Sequence, residues 1–154
     1  MNWSMETLRV RDVLELPAFE RAGVLAGREG LDRPVRSVTV AEIPDIAQWL
    51  EGDDFVHCVG WFLGDPSRDD GASERWSSWV ERLIDAGAAC LAVKMGRAVQ
   101  GMPAAVLALG DLHAFPIIAL VRDESQARIT ESVYRAIIEK RERESARRNR
   151  VFMG

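Results

Sequence analysis

Glu42, Asp45, Trp49, His57, Cys58, Gly60, Trp61 and Lys94 are the residues of this 154-residue chain whose types and spacing offer chemistry, and seven of them crowd into residues 42–61. A carboxylate closing an apolar strand, as Glu42 does, can accept hydrogen bonds from amide or amine groups of a small nitrogenous ligand. It can equally bind the backbone amides of its own turn. Asp45 stands where a helix N-cap is needed, so its first use is local, with ligand contact as the alternative. Trp61 offers a face on which a planar molecule can stack, or else a plug beneath the loop that follows it. Lys94, ending a buried strand, needs an anionic ligand, a carbonyl cluster, or an ion pair with Glu42 or Asp45.

Covalent catalysis finds little support in these residues. His57 and Cys58 are neighbours in a predicted strand, so their side chains point to opposite faces and do not form a nucleophile and base pair. A buried thiol beside a core or site-lining histidine is the expectation, and His113 is too isolated to supply a base. There is no CxxC, no paired histidine spacing, no GxGxxG opening a helix and no Walker-type GxxxxGK[ST]. We therefore assign no catalytic residue, no metal site and no cofactor.

These side chains must be positioned by alternating short elements. Thr7 is expected to cap a helix over residues 7–16, with Val10, Val13 and Leu14 on one face and Pro17 stopping it. Strands are predicted at 23–27, 35–40, 54–60, 89–95 and 117–121. Asp45 opens a brief helix that Gly52 ends. Residues 73–86 read as an amphipathic helix with Trp76, Trp79, Val80, Leu83 and Ile84 on one side and Gly87 as its cap. Helices over 103–112, with Pro103 in the first turn, and from Ile129 onward complete the series. Residues 64–73, GDPSRDDGAS, are turn-forming and solvent-seeking and read as a mobile flap.

Near-continuous apolar strands such as CLAV and IIAL alternating with helices imply an α/β fold, an open and mainly parallel sheet with helices on both faces plus a long C-terminal helix. In such sheets ligands bind beyond the carboxyl ends of the strands, where Glu42, Gly60, Lys94 and Arg122 are expected. The size and 47% apolar content fit one domain, residues 1–138, followed by a polar helical linker or tail, residues 139–154. No apolar run is long enough to span a bilayer and the first ten residues lack a signal-peptide core, so a cytoplasmic protein without membrane contact is expected. Cys58 and Cys90 lie in apolar strands and are expected to be reduced.

The net charge of −4 conceals a basic tail, with Lys140, Arg141, Arg143, Arg147, Arg148 and Arg150 against Glu139, Glu142 and Glu144. The globular part is thus more acidic than the total and a poor match for a phosphate backbone. Interspersed Glu and Arg in the tail favour a solvated helix face over nucleic-acid binding.

The segment EIPDIAQWLEGDDFVHCVG, residues 42–60, resembles the N-terminal domain of the PucR (purine catabolism regulatory protein) family of bacterial transcriptional regulators, with its pattern E-x-P-D-x-x-x-W-L-x-G-x-E-L-V-L-T-T-G. GLDRPV, VKMG and their surroundings extend the likeness from Leu8 to about Ile138. The pattern is departed from over His57 to Val59, where the family is threonine-rich before the glycine, so a different ligand from that of typical relatives is expected. The resemblance implies a non-catalytic sensor of a small nitrogenous or aromatic metabolite, coupled to a dimerising C-terminal helix. It implies a homodimer, and contact with DNA only through a helix-turn-helix domain absent from this chain, which is then an excised part or a shortened natural protein. A ligand-free dimerisation or scaffold module is the first alternative. A small hydrolase or lyase using Glu42, His57 and Lys94 is the second.

Overall fold

The computed structural model describes residues 7–153. Five strands, β1 (Gly23–Ala26), β2 (Ser37–Val40), β3 (Asp54–Cys58), β4 (Cys90–Lys94) and β5 (Ile117–Leu120), form one sheet in the order β1-β5-β4-β3-β2. β2, β3, β4 and β5 run parallel, and β1 pairs antiparallel with β5. Their shared direction brings the carboxyl ends of four strands to one rim, the arrangement that the apolar strand pattern implied.

Helices cover both faces. α2 (Ala72–Asp85) and α3 (Ala104–Leu112) pack on one face, where Trp76, Trp79, Val80, Leu83 and Val106 meet Val56, Cys58, Leu91, Val93 and Ile117. α1 (Val10–Leu14) and the first half of α4 (Gln126–Met153) pack on the other, where Val10, Val13, Ile129, Val133 and Ile137 meet Phe55, Cys90, Ala92, Ile118 and Leu120. Every residue of β3 is buried because the strand is covered on both sides and flanked by β2 and β4. Period-2 alternation therefore sends Val56 and Cys58 into one core and Phe55 and His57 into the other.

α2 ends as its sequence dictates. Gly87 takes φ +81, its N–H reaches the Ile84 carbonyl at 3.0 Å, and the Ala88 N–H reaches the Leu83 carbonyl at 3.1 Å, closing the helix with its orphan carbonyls satisfied. The start of α1 corrects the expectation of a Thr7 cap. The helix begins at Val10 with Arg9 at the N-cap, and the Asp12 carboxylate accepts from the Arg9 N–H at 2.9 Å. A carboxylate in the first turn, rather than a hydroxyl before it, satisfies the free amide. The segment 64–73 also differs from a loose flap. Asp65 accepts from the Ser67 N–H and hydroxyl, Asp69 accepts from the Gly71 N–H and Arg75, and Trp76 Nε1 donates to the Gly64 carbonyl at 2.9 Å.

The GLDRPV segment ties the N-terminal region to the strand bases. Arg33 donates to the carbonyls of Ala114 (2.9 Å), Ala88 (3.0 Å) and His113 (3.2 Å). Gly30 sits so close to the Ala114 carbonyl that an added Cβ would stand 1.9 Å from its oxygen. Arg33→Ala is expected to destabilise the domain by roughly 2–4 kcal/mol, since it strips a charged donor from three carbonyls at once. Arg33→Lys should recover only part of this, because an ammonium cannot span three acceptors as the planar fork does. Urea titrations of the two variants check both points.

Candidate functional site at the strand ends

The rim formed by the carboxyl ends of β2 and β3 carries an open, mainly apolar groove of about 600 Å³ lined by Val40, Glu42, Val59, Trp61, Phe62 and Gln126. Trp61 is 66% exposed and forms a free wall. It is not a plug under the loop. Phe62 beside it is fixed from behind, its ring edge-on to Trp79 at 5.2 Å between centroids.

Glu42 is tied to its own turn. Its carboxylate accepts from the Val59 N–H at 2.5 Å and the Gly60 N–H at 3.3 Å, which fixes the chain as it leaves β3. One edge of the groove is thus negative and already partly hydrogen-bonded, which disfavours an anionic occupant there. Gly60 itself is buried at φ +97, a conformation strained for any side chain, and a Cβ there would lie 2.6 Å from the Trp76 ring.

His57 lies under α4. Its Nδ1 pairs with Gln126 Oε1 at 3.1 Å and its Nε2 with Thr130 Oγ1 at 2.8 Å, so both ring nitrogens are committed to the first two turns of that helix. With a carboxamide oxygen on Nδ1, that nitrogen carries the proton and Nε2 accepts from the threonine hydroxyl. Burial lowers the His57 pKa to about 4, against the opposing pull of the Gln126 hydrogen bond, and the Lys94 charge lowers it further. The ring is therefore neutral at physiological pH.

The remaining candidates are dispersed. Cys58 faces the opposite core, and burial, with Glu42 adding, raises its thiol pKa well above the ordinary value, so it is neither beside His57 nor ionised. Asp45 occupies the N-cap position of a 3₁₀ turn, Ile46–Trp49, but its side chain makes no capping bond to the backbone; it accepts from Gln48 Nε2 at 2.8 Å. The Gln48 N–H that a cap would take is turned to the Asp45 carbonyl instead, at 3.4 Å. Trp49 is 69% exposed and does not line the groove. Lys94, half-buried at the end of β4, forms no ion pair with Glu42 or Asp45 and acts on His57 through its charge. Among the described residues no cluster of His, Cys, Asp or Glu is arranged to hold a metal ion, and no helix is long and apolar enough to cross a membrane.

Gln126 and Thr130 are the residues that sequence reasoning missed, because the last helix was expected to begin at Ile129. Their signal was present. A polar pair at i, i+4 continues the Ile129, Val133, Ile137 stripe toward the N-terminus, which places both on the packed face.

Other residues of the 42–60 segment build the scaffold. Asp54 is buried and accepts from the Ser37 hydroxyl at 2.7 Å and the Gly52 N–H at 2.8 Å. Trp79 Nε1 donates to the Ile43 carbonyl at 3.3 Å, anchoring the segment to α2.

Comparison with known proteins agrees with this architecture. The purine catabolism regulatory protein of Bacillus subtilis (strain 168) is 30% identical over 113 residues, which are 73% of this chain and 20% of that protein. The chain thus spans about a fifth of the length of that relative. A crystal structure of the CBS and DRTGG domains of the regulatory region of Clostridium perfringens pyrophosphatase, complexed with its activator diadenosine tetraphosphate, superposes with a TM-score of 0.52. The match covers 88% of this chain and 53% of that one at 13% identity, which establishes a shared fold alone. The sequence model of the purine catabolism regulatory protein-like family matches residues 12–137, and this chain belongs to that family.

Proposed function

We propose that this domain is the metabolite-sensing part of a PucR-type transcriptional regulator, taking a small nitrogenous or aromatic molecule at the strand-end groove and passing its presence to α4. One observation carries the reading: the groove, the buried His57 and the first two turns of α4 are joined side chain to side chain through Gln126. A ligand biases an output only if it favours one of two arrangements, and α4 is the element available to be rearranged. Arg141 still reaches back to the Arg36 carbonyl at 3.1 Å, but residues 145–150 of that helix are exposed throughout, which offers them for pairing with a second copy or for continuation toward an effector domain. DNA contact on this reading belongs to a helix-turn-helix domain outside the chain.

A thermal-shift screen against nitrogenous and aromatic metabolites tests the proposal. A true ligand at a hundredfold excess over its Kd should raise Tm by roughly 8 °C. Trp61→Ala should abolish that shift while leaving the ligand-free Tm within about 1 °C, since the side chain is exposed and supports no core. A dimer by light scattering with no ligand response across the screen would favour a scaffold module instead. The exposed face of α4 is what recommends that second reading.

A further inference from the structure

We infer that Gln126 is the residue through which the groove recognises its ligand and releases α4, and that the ligand is a planar, uncharged molecule with a hydrogen-bond acceptor on its edge. The inference rests on the sensing proposal and names the chemistry and regulation of that same groove. Gln126 lines the groove while its Oε1 pairs with His57 Nδ1. Its Nε2 is buried and has no hydrogen-bond partner among the described residues. A buried amide donor left unpaired is a cost the folded chain carries, and an acceptor supplied in the groove relieves it at Nε2.

The walls decide the rest of the ligand. Trp61 presents an open aromatic face, and Val40, Val59 and Phe62 are apolar, so a flat ring is accommodated by stacking and contact. The Glu42 carboxylate at the margin repels an anion, and its two bonds to the Val59 and Gly60 amides leave it able to accept one donor more. A carbonyl oxygen or unprotonated ring nitrogen is the acceptor that fits.

Because Nε2 is shielded, the side chain must turn to meet that acceptor. Turning draws Oε1 away from His57 Nδ1, so the empty state has Gln126 on the imidazole and the occupied state has Gln126 on the ligand. His57 then keeps only Thr130, one turn further along α4, and its Nδ1–H replaces Gln126 Nε2 as the unpaired donor, so the ligand's stacking and apolar contacts supply the net gain. The two states differ in the contacts of the first turn of that helix, which is the differential interaction a ligand requires to shift a population.

The experiment uses the whole chain and four probes: hypoxanthine and nicotinamide, which are planar and neutral with edge acceptors; toluene, which lacks an acceptor; and benzoate, which is anionic. Trp61 fluorescence, assigned with Trp61→Phe, reports occupancy of the groove. The ¹H–¹⁵N signals of the Gln126 side-chain amide and the His57 ring nitrogens, assigned with Gln126→Met and His57→Gln, report the switch. Hypoxanthine or nicotinamide should quench Trp61 and move the Gln126 and His57 signals together with one saturation curve, toluene should affect Trp61 alone, and benzoate should do neither. Gln126→Met should bind the acceptor-bearing probes about tenfold more weakly with toluene unchanged.

Quenching of Trp61 by the acceptor-bearing probes with Gln126 and His57 unmoved would overturn the inference and leave a ligand groove standing. Silence of Trp61 toward both of those probes would also overturn it, and thermal shifts with another class of metabolite would then keep the sensing proposal alive. Absence of both kinds of response would remove the two together. If Gln126→Met unfolds the chain, Gln126→Glu serves in its place, since it keeps the oxygen toward His57 and deletes the amide donor.

Discussion

Gly60→Ala is expected to destabilise the domain by roughly 3 kcal/mol or more, the largest loss of any single methyl added near the groove. Two costs combine. The residue is held at φ +97, and the new Cβ would stand 2.6 and 2.8 Å from two carbons of the Trp76 six-membered ring, which is fully buried and anchored by its Nε1 bond to Gly64. Gly52 provides a control, since it has the same φ of +97 with nothing within 4 Å of its Cβ position. Gly52→Ala should therefore show the backbone strain alone, about 1–2 kcal/mol, and the excess seen at Gly60 measures the collision with Trp76. Trp76→Phe in the Gly60→Ala background should regain part of the loss despite the cavity it leaves, because phenylalanine lacks the two colliding carbons. Urea midpoints of the four proteins test the chain of reasoning. Equal losses at Gly52 and Gly60 would show that the Trp76 ring yields without cost.

The second large effect is a loss of stability in mild acid. The pKa of His57, about 4 in the folded chain, lies below its ordinary value of 6.5, so between those limits the unfolded chain binds a proton that the native chain does not. Stability present above pH 6.5 is then lost as the pH falls through 4, by an amount on the order of 3 kcal/mol. The cause is chiefly burial. Protonation would turn the Thr130 contact round, Nε2–H donating to the rotated hydroxyl, and would place a poorly solvated charge beneath the first turns of α4, which should loosen before the rest. His57→Gln should flatten the pH dependence between 4 and 6.5 while lowering stability at pH 7. Lys94→Met should move the acid transition of His57 upward, because the ammonium is one of the two influences holding the ring neutral. Chemical denaturation at a series of pH values, with amide exchange along residues 126–137, reads both. An unchanged pH slope in His57→Gln would assign the acid sensitivity elsewhere.

His57 and Cys58 are also where the chain departs from the family pattern. In this protein the imidazole at 57 reaches across to Gln126 and Thr130, and the thiol at 58 fills the opposite core. The substitution therefore changes the link to α4 and leaves the groove walls to other residues. Trp61 and Phe62, just beyond the glycine, supply those walls.

The sequence by itself determined the layer architecture and most element positions. Apolar strands of four or five residues flanked by helical periodicity admit little besides a covered parallel sheet, and Gly87 and the Trp76, Trp79, Leu83 stripe set the length and orientation of α2. It also determined that His57 and Cys58 part company, since that follows from the two-residue repeat of a strand alone. Only the tertiary structure decided what the polar side chains do. Glu42 turned to the amides of Val59 and Gly60, Asp45 to Gln48, and His57 to a helix some seventy residues later. Such partners are chosen by distance in space, and a hydrogen bond across an |i−j| of 69 or 73 leaves no mark on local spacing. The start of α4 shows the same limit. Gln126 reads as a polar loop residue until a buried imidazole is set opposite it, and that meeting exists only once the helix has folded back across the sheet.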